Sequence, residues 1–252
     1  VSDRVGNSLA EAFTLSFAAL ESLPVGTIAW TATEGGNWSD PENWLGGVVP
    51  GNGDSVIIDT FGPPTTIVLD TRNTDFVDVR IEENLQFDTN RNMMIRGSAV
   101  LNGEVTVTGG FSTRITCTDG ASLTLAAATT LSGLDISIEG SASFSAPLLT
   151  SFQNADMSFS SFGEMPAGLV ELPLLEDLEG ATFIHGNTEA ISLPSLVTIN
   201  ANQVNVEGGA VLSLPNATTA PGVRFFVSGE GSLLELPQLL STLDGQLSLL
   251  FG

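Results

Sequence analysis

From about residue 53 onward, apolar and polar residues alternate in short runs that return at a near-constant interval. Val170-Glu171-Leu172-Pro173, Ile191-Ser192-Leu193-Pro194, Leu212-Ser213-Leu214-Pro215 and Leu234-Glu235-Leu236-Pro237 are one phrase, at spacings of 21, 21 and 22 residues. Phe144-Ser145-Ala146-Pro147 and Leu123-Thr124-Leu125-Ala126 extend it toward the N-terminus, with an insertion expected near Ser160–Gly168. A second phrase runs through Ile115/Cys117, Ile136/Ile138, Met157/Phe159, Phe183/His185, Val204/Val206, Phe225/Val227 and Leu247/Leu249. Between the two lies a column of Leu149, Leu175, Leu196, Ala217 and Leu239, and looser versions stand upstream at Ile67–Leu69, Leu85–Phe87 and Val105–Val107. Strict alternation marks half-buried strands, and a period near 21 marks a solenoid. Leucine-rich repeats share the period but require a fixed Asn and a helical turn per repeat, which this chain lacks. The pattern predicts an all-β fold, a right-handed parallel β-helix of about nine turns and roughly 45 Å.

The first 26 residues read differently. Ser8-Leu9-Ala10-Glu11 fits a capping box, and Leu9, Phe13, Phe17 and Leu20 recur at helical spacing until Pro24 ends the pattern. This amphipathic helix carries glutamates but no Lys or Arg, so it suits the capping of an exposed core better than a membrane surface. Residues 27–60 then form an entry module and first strand, and residues 61–252 the β-helix.

The entry module holds the most distinctive text: Gly35-Gly36-Asn37-Trp38-Ser39-Asp40-Pro41-Glu42-Asn43-Trp44, then Gly46-Gly47-Val48-Val49-Pro50-Gly51-Asn52-Gly53-Asp54-Ser55-Val56-Ile57-Ile58. The form GxWSDPxNWxGGxxPGxGDxVxI resembles the opening module of secreted, autotransporter-like bacterial β-helix surface proteins. That resemblance implies export to the cell surface or beyond, a β-helix following directly, and a longer parent protein. It implies no catalytic residues. Trp38 and Trp44 have two readings, an exposed sugar platform or anchors packed beneath a turn-rich loop; the second is the simpler.

Composition narrows the function classes. Twenty-nine acids face seven basic residues, for a net charge of −22, which excludes non-specific binding to nucleic acid or anionic membranes. No apolar run reaches the roughly 18 residues of a membrane span. One cysteine, Cys117, excludes an internal disulfide, and one histidine, His185, excludes chemistry that needs two. The register places both inward, with His185 between Phe159 and Val206 and Cys117 between Gly97 and Ile138; both read as core residues.

The outward positions are mostly Ser, Thr, Asn and isolated acids. One column runs Thr124, Ser145, Glu171, Ser192, Ser213, Glu235; another runs Arg114, Asp135, Asp156, Thr182, Gln203, Arg224, Gln246. Arg80, Arg96 and Arg114 would grip an acidic glycan if they formed a ladder, and would pair with neighbouring acids otherwise. Asp40, Glu42, Asp54 and Asp59 are the candidate calcium ligands; the alternative is turn capping by Asp40 and Asp54. No other cofactor is indicated. The chain closes on Leu249-Leu250-Phe251-Gly252 directly after an inward-facing strand, so continuation of the chain or self-association is expected at that end. The leading expectation is a non-enzymatic structural or adhesive solenoid of a bacterial surface or extracellular fibre. The alternative is a polysaccharide lyase or hydrolase, or a glycan-binding module, on the same fold.

Overall fold

Parallel pairing between residues about one repeat apart organises the computed structural model of the chain. The structure describes residues 26–60, 62–108, 113–118, 120–160, 169–185, 190–241 and 245–250, and at Ala181, Phe183, His185 and 246–250 it describes the backbone. The amphipathic helix expected within residues 1–26 and most of the expected insertion lie outside the described residues. What is described is all-β, a β-solenoid of about 8 turns rather than nine.

Three faces build each coil. On the first, Val56, Val79, Ala99, Leu123, Phe144 and Val170 stack in register, and Ile191, Leu212 and Leu234 stack in a separate three-stranded sheet. The second face stacks Met93, Ile115, Ile136, Met157, Thr182, Val204 and Phe225. The strand Thr74–Ile81 spans both, pairing with Asn92–Ile95 through its first residues and with Ser98–Leu101 through its last. That single strand joins the two faces into one 15-stranded sheet. The third face consists of two four-stranded sheets. One stacks Ile67, Leu85 and Val105; the other stacks Leu131, Phe152, Leu178 and Ile199.

The Leu-Pro phrase has a local cause. Pro147, Pro173, Pro194, Pro215 and Pro237 each hold the second position of a β-turn, where the ring's fixed φ is already correct. The turns close through Leu149 N–H to Ala146 O at 3.2 Å, Leu175 to Leu172 at 3.4 Å, Leu196 to Leu193 at 3.4 Å, Ala217 to Leu214 at 3.3 Å and Leu239 to Leu236 at 3.2 Å. Each turn then sends its last residue inward, so Leu149, Leu175, Leu196 and Ala217 are fully buried, as the spacing predicts. The third-face column Phe152, Leu178, Ile199 and Ala220 is equally buried. It escaped the pattern because its strands are only two or three residues long.

The second phrase needs a correction at one coil. Ile184, not His185, lies between Phe159 and Val206, and Thr182, not Phe183, lies between Met157 and Val204. The segment Ala-Thr-Phe-Ile-His offers an apolar residue in either phase, so alternation alone cannot choose between them. Stacking on Phe159 decides it. His185 therefore stands in register with Ser160 and Glu207, and Ala181 rather than Thr182 stands in register with Gln203. Cys117 stacks on Ile95 rather than near Gly97.

Close coil spacing makes one glycine indispensable. Gly180 has φ +123°, and a Cβ there would lie 1.8 Å from the carbonyl oxygen of Ala155 on the coil before it. Gly180→Ala is expected to lower stability by about 1–3 kcal/mol or more through strain and clash. Gly51→Ala, where the nearest atom is 4.0 Å away, is expected to stay within about 0.5 kcal/mol. Urea unfolding of the two variants checks the contrast, and equal midpoints would contradict the packing.

Candidate functional site

The tryptophan module is the first candidate, and its rings face inward. Trp38 is fully buried, Trp44 is 2% exposed and Trp30 is 5% exposed. Trp44 packs edge-on against both others, with centroids 4.9 Å from Trp30 and 4.8 Å from Trp38, and Trp38 reaches Phe76 at 5.3 Å. The Trp44 Nε1–H donates to the Trp38 carbonyl at 2.7 Å. Around the rings, Asn43 Nδ2 donates to Asn37 O at 3.0 Å, and the Ser39 amide and hydroxyl donate to Asp70. These rings are anchors beneath the loop, and the sugar platform considered for Trp38 and Trp44 is not formed.

The arginines do not make a ladder. Arg80 stands in register with Ile57 and Val100, whereas Arg114 stands with Asn92 and Asp135. Arg80 Nε donates to Glu82 at 2.7 Å, Arg96 Nε to Asp75 at 2.7 Å, and Arg114 Nη2 to Asp135 at 3.2 Å. Arg96 grips Asp75 through both carboxylate oxygens, and that bond holds the Asp75 carboxyl below its ordinary value.

Two of the four expected calcium ligands have structural partners. Asp40 caps the short 3₁₀ turn Pro41–Asn43 by accepting from the Glu42 amide at 3.0 Å, and Asp54 accepts from the Gly51 amide at 2.8 Å. Among the described residues, no group of three or more His, Cys, Asp or Glu side chains is placed to hold a metal ion. Leu249 and Leu250 pair with Val227 and Ser228 through their backbones. Phe251 lies outside the described residues. Val227, with which Leu249 pairs, and Leu234, Leu236 and Leu239, which precede Leu249 in the same coil, are only half-buried, whereas their counterparts Val206, Leu212, Leu214 and Ala217 are buried.

The most unusual carboxylate is one the repeat pattern did not single out. Glu83 is 3% exposed. Its Oε1 accepts from the Thr60 amide at 3.0 Å and hydroxyl at 2.6 Å, and its Oε2 accepts from the Thr65 amide at 2.6 Å and hydroxyl at 3.3 Å. One side chain thus ties both ends of the Thr60–Thr65 loop to the next coil. Burial alone would raise the Glu83 pKa, but the bonds from Thr60 and Thr65 outweigh it and hold the group below 4.5. Asp177 works similarly across three coils. The bond from Gln153, helped by Asn200 and Ser151, lowers its pKa against the opposing effect of burial. The only sequence signal for either is an acid one repeat away from paired hydroxyl or amide residues.

Cys117 is fully buried, and burial with the nearby negative charge of Glu139 pushes its thiol up to about 12. A thiol held neutral cannot serve as a nucleophile. With these geometries in place, comparison with known proteins adds no name: no protein-family model, curated protein or solved structure matches the chain.

Two outcomes follow from these side chains. Glu83, Asp75 and Asp177 have folded-state pKa values below their ordinary ones, so their stabilisation is complete above the unfolded values and is lost as pH falls through the folded ones. Urea midpoints should hold steady above about pH 5 and fall below it. Glu83→Gln should start about 2–4 kcal/mol less stable at neutral pH and lose less on acidification; a variant with the wild-type acid slope would remove Glu83 from this role. Cys117 should resist a disulfide reagent for hours in the folded protein at about pH 8 and react fully in denaturant, as followed by thiol release.

Proposed function

We propose that the chain is a non-enzymatic structural or adhesive segment of an exported bacterial surface or extracellular fibre protein. One observation carries the reading: many of the acidic and basic side chains on the outer faces are engaged in bonds between or within coils. Asp78 accepts from the Ser98 amide, Asn102 Nδ2 donates to Glu82, Ser145 donates to Glu171, and Asp135 accepts from the Asp156 amide. Each joins residues 20 to 26 positions apart. Bonds of this kind fasten one coil to the next. The entry module's resemblance to bacterial surface proteins supports export.

The half-buried Leu234, Leu236 and Leu239 support the assembly part of the proposal. A coil whose inward residues keep partial exposure is completed by another parallel coil, supplied either by continuation of a longer chain or by head-to-tail contact with a second copy. Such a head-to-tail contact propagates as an open fibre.

Light scattering and negative-stain microscopy at micromolar concentrations test the reading. Short rods that lengthen with concentration are expected, and Leu239→Glu should shorten them. A strictly monomeric population would overturn the end-to-end assembly, and release of reducing or unsaturated ends from neutral or acidic polysaccharides would overturn the non-enzymatic reading.

A further inference from the structure

The third face is broken between its two four-stranded sheets. The strand Val105–Val107 ends one sheet and the strand Thr130–Ser132 begins the other, with no ladder between them, although Cα atoms of the two strands approach within 8 Å. Hydrogen-bond directions show which groups face the gap. Leu85 N–H donates to Glu104 O, and Thr108 N–H donates to Phe87 O, so Glu104, Thr106 and Thr108 are turned toward the preceding coil. In a parallel ladder alternate residues point to opposite edges, which aims the peptide groups of Val105 and Val107 at the gap. On the other side, the Ser151 amide donates to Thr129 O and the Gly133 amide to Gln153 O. The peptide groups of Thr130 and Ser132 therefore face the gap from above. Among the described residues, no bond crosses it.

A cleft of about 320 Å³ occupies this place. Its lining combines the buried Val105 and Ala128 with the exposed Glu104, Thr106, Thr129, Thr130 and Ser132, the Ser132 hydroxyl also accepting from Asn154 Nδ2 at 3.3 Å. The volume lies at the lower end of the range for small-molecule sites.

We propose that this break binds a neutral polyhydroxy ligand, one sugar unit of a glycan. Unpaired peptide groups and hydroxyls both donate and accept, as sugar hydroxyls do, and a carboxylate accepts from two neighbouring hydroxyls of a diol. The apolar Val105 and Ala128 suit the C–H face of a pyranose ring. Glu104 and the net charge of −22 disfavour an anion, and a single carboxylate is too few for a tightly held divalent cation. The gap is narrower than the roughly 9.6 Å that an inserted peptide strand would need between its neighbours. The proposal stands apart from end-to-end assembly, since a sugar bound on the side wall requires no second copy.

Saturation-transfer NMR with methyl β-glucopyranoside and methyl β-galactopyranoside, with glucuronate as the anionic comparison, tests it on the full chain. At least one methyl glycoside is expected to bind with a dissociation constant of about millimolar, the range for so small a ligand, and glucuronate at least about tenfold more weakly, a difference of about 1.4 kcal/mol. Glu104→Gln and Thr130→Val, both at exposed positions, should weaken glycoside binding by about tenfold while leaving thermal unfolding unchanged. No transfer to either methyl glycoside, tighter binding of glucuronate, or unchanged affinity in both variants would overturn the assignment.

Discussion

The hydrogen-bonded ladder between successive coils is the constraint from which the rest of this structure follows. Because strands stack in parallel and in register, the neighbour of every strand residue is the equivalent residue one repeat away. A column is therefore inside or outside as a whole. One inward methyl too many, or one side chain where a glycine belongs, is felt by the coils on either side. The buried columns of Leu, Ile, Val and Phe and the close approach at Gly180 are two consequences of that geometry.

The same constraint explains how a chain with a net charge of −22 can stack at all. Like charges placed directly above one another would repel at strand spacing. Here most bonded acids lie over a donor. Arg114 precedes Asp135, Ser145 precedes Glu171, and Ser151, Gln153 and Asn200 converge on Asp177. Glu83 takes the principle inside, where a carboxylate is tolerated because four donors from Thr60 and Thr65 replace water. Acidity is thus distributed through the fold as inter-coil fastening.

The places where the ladder is entered or interrupted carry the remaining features. At the N-terminal side, Thr27–Ala29 and Asp54–Ile58 pair as the first strands of the main sheet, and three tryptophans fill the space that a regular coil would occupy with aliphatic residues. At the third-face break, two strand edges meet without bonding, leaving peptide groups that elsewhere are consumed by the ladder. At Leu234, Leu236 and Leu239 the inward column keeps partial exposure. Assembly and ligand binding are proposed at two such interruptions, where the repeat leaves capacity unused.

Period and alternation in the sequence were enough to determine the solenoid, the first-face columns and the buried Leu149–Leu175–Leu196–Ala217 stack, because each repeated position must satisfy the same neighbours. The prolines marked their turns for the same reason. Alternation could not set the phase of Ala181–His185, where both phases offer an apolar residue, nor choose between the packed and the exposed reading of Trp38 and Trp44. It gave no sign of the buried Glu83 or of the gap between Val105–Val107 and Thr130–Ser132. Those were decided by the tertiary structure alone, since each depends on contacts between coils whose spacing in sequence departs from the regular repeat.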